Sequence, residues 1–254
     1  MAAIPLEVLD HIFGFLLTDP ASLVACSEAH PPFAQIVEKY QYHKLTISLE
    51  STSFYTKLLS DKPQIANYVR VLRIEGEPEH PVISMSKACF ERMAAILPLF
   101  PVLVKIVFYS SLIVWGRGLP QVFRRAIEDC LRLPTMRELR IDGYCRDFPI
   151  SMLDGLANID CFSLVGFPEI YEDADTTYPQ LKSLSITGFY SRHDHISFGA
   201  WAKSHISRLQ SLKYDYSSDG TLLELLKICS DTLTTLDLTL GGDVDGQCES
   251  SVLP

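Results

Sequence analysis

The sequence predicts an α/β protein: a small helical module at the N-terminus, then parallel strands alternating with helices in a solenoid. Three observations predict it. A short apolar strand pattern recurs along the chain, helix-period segments separate its copies, and residues 4–47 follow a different, all-helical pattern.

The module comes first. Pro5 suits a first helical turn, where its missing N–H costs nothing. Leu6, Leu9, Phe13 and Leu16, with Val8, Ile12 and Phe15 beside them, make a wide apolar face at helical spacing. Glu7 and Asp10 lie near the positive end of that helix. Asp19 can cap a second helix with Pro20 at its first position and Leu23, Val24 and Cys26 on its buried side. Pro31-Pro32 ends it. Phe33 to Tyr42 reads as a third helix with Phe33, Ile36, Val37 and Tyr40 inward, and Leu45-Thr46-Ile47 is strand-like. About forty residues are too few for an independent core, so the module must dock on later residues or on a partner.

Behind it, good copies of Leu-x-x-Leu-x-Leu are Val69 to Ile74, Met136 to Ile141, Leu181 to Ile186 and Leu233 to Leu238. Central anchors fall at Leu72, Ile106, Leu139, Phe162, Leu184, Leu212 and Leu236, at intervals of 34, 33, 23, 22, 28 and 24 residues. Four of these lie in the window of about 20–29 residues expected of leucine-rich repeats. The two longer ones leave room for helices within Ser84–Leu97 and Leu119–Leu131. Ile150–Leu156, Phe198–Leu209 and Thr221–Cys229 supply the later connections, the last being the clearest helix. Gly76, Gly143, Gly166 and Gly188 stand near strand ends. The fold class is therefore an irregular leucine-rich-repeat solenoid with a parallel β-sheet behind a three-helix module, dividing at 1–47 and 48–254. A doubly wound α/β enzyme competes, but it predicts a Gly-rich first loop, and neither GxGxxG nor GxxxxGK[ST] is present.

Outward strand positions include Val71, Arg73, Glu138, Arg140, Ser183, Ser185, Thr235 and Asp237, which would line a concave sheet face. Two charged loops, Glu169 to Asp175 with Glu172 and Asp173, and Tyr190 to His195 with Arg192 and His193, would share one rim. Arg73, Glu138, Arg140, Ser183, Ser185, Glu172, Asp173, Arg192 and His193 are the candidate target-binding residues.

Composition excludes several function classes. At 254 residues and 47% hydrophobic, the chain can bury a large core without a metal or disulfide staple. A net charge of -9 argues against a general nucleic-acid binder. Seven cysteines, without CxxC spacing, read as small buried hydrophobes in a reducing compartment. Glu7 and Asp10 interrupt any signal-peptide core, and Pro98, Pro101 and Lys105 interrupt the longest apolar run. A soluble cytoplasmic or nuclear protein with no membrane partner is expected. Candidate chemistry is sparse. His193 and His195 lack a third metal ligand, and Asp243, Asp245 and Glu249 lack the spacing of a calcium loop. No nucleophile arrangement stands out, so no cofactor, metal or enzymatic activity is expected.

The opening residues carry a resemblance. Ile4-Pro5-Leu6-Glu7-Val8-Leu9-Asp10-His11-Ile12-Phe13 with Phe15-Leu16 resembles the start of the F-box. Asp19 to Ser27 is similar to that family's second helix as written in mushroom-type fungal members, and Phe33 stands where the family places a Trp. Glu28 and His30-Pro31 depart from its pattern. The resemblance implies a docking surface for the adaptor of a cullin–RING ubiquitin ligase, with the repeats selecting the protein to be ubiquitinated. The adaptor-facing residues it implies are Pro5, Leu6, Leu9, Ile12 and Leu16, with Leu23, Cys26 and Phe33 nearby. The alternative is a non-enzymatic leucine-rich-repeat scaffold whose N-terminal helices only cap the solenoid. After Leu240 no amphipathic helix follows, so the expectation is that the tail folds back as an irregular cap, that the gene product is truncated, or that it is part of a short family.

Overall fold

Each repeated strand presents an apolar residue at every second position, so a strand can bury one face only if others lie beside it. In the computed structural model they do. The structure describes residues 5–17, 19–48, 51–76, 87–109, 113–114, 119–142, 145–146, 148–149, 158–165, 170–171, 181–187, 206–216 and 221–240.

Eight strands form one parallel sheet whose spatial order follows the chain: β1 (Lys44–Ser48), β2 (Val71–Glu75), β3 (Lys105–Tyr109), β5 (Glu138–Asp142), β8 (Cys161–Val165), β10 (Ser183–Thr187), β11 (Ser211–Tyr216) and β12 (Thr235–Leu240). Two-residue strands lie outside it. Of these, β4 (Ile113–Val114) pairs with β6 (Cys145–Arg146), and β7 (Phe148–Pro149) pairs with β9 (Ile170–Tyr171).

Every anchor read from the sequence falls in one register row. Leu45, Leu72, Ile106, Leu139, Phe162, Leu184, Leu212 and Leu236 are successive partners across the sheet. Two residues before β2, β3, β5, β8, β10 and β11 runs a second row: Val69, Leu103, Met136, Ile159, Leu181 and Leu209, all buried. Between the rows the backbone repeats one device. A single carbonyl accepts the N–H groups of the two residues that enter the next strand. His43, Arg70, Val104, Arg137, Asp160, Lys182 and Gln210 each do so, at 2.8–3.0 Å. The sequence intervals vary because the connections vary; the strand entrances do not.

Four α-helices serve the body of the fold among the described residues: α4 (Thr52–Asp61), α5 (Lys87–Ile96), α6 (Gln121–Leu131) and α7 (Thr221–Cys229). Phe90 of α5 and Phe123 of α6 meet at 5.3 Å between ring centroids, inside a cluster that contains both rows from β1 to β11. Helices α5, α6 and α7 fall where the sequence places them. Helix α4 and the 3₁₀ turn Pro63–Asn67 were not foreseen, and the proposed helices in Ile150–Leu156 and Phe198–Leu209 lie largely outside the described residues. Among the described residues, no helix is long and apolar enough to cross a membrane.

The N-terminal module is three helices: α1 (Leu6–Phe15), α2 (Pro20–Ala29) and α3 (Pro31–Gln41). Its own cluster of Phe13, Leu23 and Val37 is separate from that of the sheet. Three sequence expectations are corrected here. Pro5 is the cap that precedes α1, its carbonyl accepting from the N–H groups of Val8 and Leu9. Helix α3 starts at Pro31, since prolines at its first two positions lack only N–H groups that a helix start leaves unpaired. Val24 is 44% exposed, because Leu23 and Cys26 occupy the inward side of α2.

Candidate docking surface

Helix α1 and its C-cap Leu16 carry two interleaved apolar stripes with the same spacing. Leu9, Phe13 and Leu16 form one; Val8, Ile12 and Phe15 form the other. The first turns inward. Phe13 packs edge-on to Phe33 at 5.5 Å and joins Leu23 and Val37, with Leu9, Leu16, Ile36 and Tyr40 half-buried around them. The second has no cover among the described residues: Val8 and Ile12 are each 46% exposed, and Phe15 72%. Leu17, just past α1, and Val24 of α2 are also exposed, at 39% and 44%.

Polar contacts fix the module's shape. Asp19 caps α2, accepting from the Ser22 N–H at 3.1 Å and the Ser22 hydroxyl at 2.6 Å. Lys39 of α3 donates to both carboxylate oxygens of Asp10 at 2.9 Å, and the Tyr40 hydroxyl donates to the Asp10 carbonyl. The Lys39 bond, then Tyr40, holds the Asp10 carboxyl below its usual range, and burial with Asp10 nearby pushes the Tyr40 phenol up to about 12. Beside the exposed stripe opens a notch of about 350 Å³ lined by Glu7, Asp10, His11, Gly14, Phe15 and Tyr40. His11 and Phe15 meet edge-on at 4.9 Å.

The module joins the body without a linker. Tyr42, just past α3, packs on the sheet's cluster, and the His43 carbonyl begins the series of double acceptors. Glu38 of α3 and Lys62, just past α4, pair at 2.7 Å.

The candidate adaptor residues therefore part company. Pro5 and Ile12 are exposed, Leu9, Leu16 and Phe33 are half-buried against the module's own core, and Leu23 is enclosed in it at 2% exposure. Leu23 is a core residue and offers a partner no surface in this arrangement. The Leu6 backbone begins α1, and its side chain lies outside the description. Val8, Phe15, Leu17 and Val24 are exposed residues absent from the sequence-based candidates; the two equal spacings in α1 were the signal for the first two.

On the sheet, Arg73, Glu138, Arg140, Ser183 and Ser185 share the face opposite the anchors. Their charges are engaged within that face. Arg73 donates to Glu75 at 2.6 Å and lies 4.1 Å over the Tyr109 ring; Arg140 donates to Asp142 at 2.6 Å; Lys105 pairs with Glu138. Lys213 and Asp237 pair at 3.1 Å farther along. Glu172, Asp173, Arg192 and His193 lie outside the described residues, as do His195, Asp243, Asp245 and Glu249.

Burial disfavours the nucleophilic thiolate at three of the described cysteines. Burial pushes Cys130 up to about 12 and raises Cys161 and Cys229. Among the described residues no group of His, Cys, Asp and Glu could hold a metal ion. No protein-family model matches the chain, and no curated protein is significantly similar to it in sequence.

Proposed function

We propose that the chain is the substrate-binding subunit of a cullin–RING ubiquitin ligase, its N-terminal helices docking on the ligase adaptor and its sheet receiving the target. On this reading the sheet is a leucine-rich-repeat solenoid, the module is an F-box, and the protein works in the cytoplasm or nucleus. It would catalyse nothing itself. It would raise the local concentration of target lysines near a ubiquitin-charged enzyme held elsewhere in the complex.

The observation that carries this reading is the outer stripe of α1. A module with its own core still leaves Val8, Ile12 and Phe15 uncovered in one line. Exposed apolar residues in a row, beside polar ones, are what a helix-reading partner buries. The test is capture by purified adaptor. Wild-type chain should bind at concentrations of about 1–10 μM or below, and Ile12→Glu with Phe15→Glu should abolish capture while the melting temperature stays unchanged. No association of the wild type in that range overturns the proposal.

A second reading has one observation in its favour. The β1 end of the sheet is closed, with Leu45 and Ile47 buried, whereas Leu236 and Leu238 at the β12 end are about 40% exposed. The helices would then be a cap on an interaction scaffold. A pure cap predicts that the α1 variants leave every binding activity of the chain unchanged.

A further inference from the structure

We infer that the exposed face of α1 seats in a protein groove with an apolar floor and a cationic rim, one Lys or Arg of which enters the notch beside Phe15. This rests on the docking role proposed for the same face and adds the chemistry of the partner.

Charge is the first observation. Residues 1–38 contain no Lys or Arg, but they contain Glu7, Asp10, Asp19, Glu28 and Glu38. Glu38 and Asp10 are paired with Lys62 and Lys39. Among the described residues Glu7, Asp19 and Glu28 are in no ion pair with a cation. The exposed stripe of α1 thus belongs to a segment whose unpaired charges are all carboxylates, and Lys39, which follows that segment, is paired with Asp10. A partner that buries the stripe must bring its own rim within a few ångströms of those carboxylates. Like charge there would be penalised, and opposite charge would speed association.

The notch is the second observation. It is an open concavity flanking the stripe and sharing Phe15 with it. Its walls are the Phe15, His11 and Tyr40 rings and the Glu7 and Asp10 carboxylates, and Gly14 leaves the middle free of a side chain. Aromatic faces beside carboxylates suit a long cationic side chain, which stacks its stem or guanidinium and pairs its head. The chain already shows this chemistry on one wall. Lys39 pairs with Asp10 and sits 5.2 Å over the Tyr40 ring. Glu7 is the carboxylate left for a cation from outside.

The experiment is the rate and affinity of full-length chain for purified adaptor as a function of salt. Between about 50 and 500 mM NaCl the association rate should fall at least tenfold. Glu7→Gln with Glu28→Gln should weaken binding about three- to tenfold and flatten that dependence, and Glu7→Lys should slow association further. Circular dichroism melts of each variant check that the module remains folded. Binding that depends on Ile12 and Phe15 but ignores both salt and Glu7 overturns this inference and leaves the docking role standing. A wild-type chain that does not bind the adaptor overturns both.

Discussion

Gly14 sits one residue from the end of α1, and an added Cβ would meet only the Tyr40 ring and hydroxyl at 3.9 Å, an ordinary contact. Its backbone is helical, so alanine needs no strained conformation. Gly14→Ala should therefore stabilise the module by about 0.5–1 kcal/mol, measured by denaturant unfolding. His43 gives a pH signature. Burial, then Arg70 and Lys39, lowers its imidazole below the ordinary 6.5. Folded chain therefore binds fewer protons there than unfolded chain, and stability falls as pH drops from about 6.5 through the lower folded value. Unfolding free energies measured from about pH 8 to 5 should show this loss, and His43→Gln should remove it from the profile. At this scale the sequence was legible only in part. Leu9 and Val8 are neighbours of similar hydrophobicity, and which of them faces inward is set by where α2 and α3 pack, a tertiary fact. Leu23 misleads for the same reason: an apolar residue in a small helical module is as readily its core as its surface.

Among the elements, strands were the most legible. Their period of two survives any connection length, so Leu72 through Leu236 could be placed although the intervals range from 22 to 34 residues. Helix α4 was missed because its apolar residues are few: Phe54 is exposed, and only Tyr55, Leu58 and Leu59 face the sheet's cluster. Helix α6, with Phe123, Ala126, Ile127 and Cys130 buried on one side, announces itself. In the copies that begin at Val69, Met136 and Leu181 the leading apolar residue belongs to the core as fully as the anchor does. Met136 has no exposed surface. Met136→Ala should cost about 2–5 kcal/mol, as large-to-small changes in a filled core do. Leu236→Ala should cost far less, about 1 kcal/mol, because that side chain is already 44% exposed. Paired chemical-denaturation curves measure both; equal losses would mean that Leu236 is covered in solution.

The whole molecule has two unequal cores. The sheet's cluster runs continuously from Leu45 to Cys229, whereas the module's consists of Phe13, Leu23 and Val37 with half-buried neighbours. Such a small core cannot offset much chain entropy, so the module's stability leans on its junction with the body, through Tyr42 and the Glu38–Lys62 pair. Local unfolding should follow that division. Amides of α1 and α2 should exchange at least about a hundredfold faster than those of β2, β3 and β5, since an opening restricted to the module leaves the sheet intact. Adaptor binding should slow exchange in α1 and α2 and leave the sheet's rates where they were, because a ligand protects only the openings that break its site. Hydrogen exchange followed by mass spectrometry resolves the two regions. Equal protection of module and sheet in the free chain would show that the two cores open as one unit, and that the exposed stripe of α1 sits on a surface as rigid as the sheet.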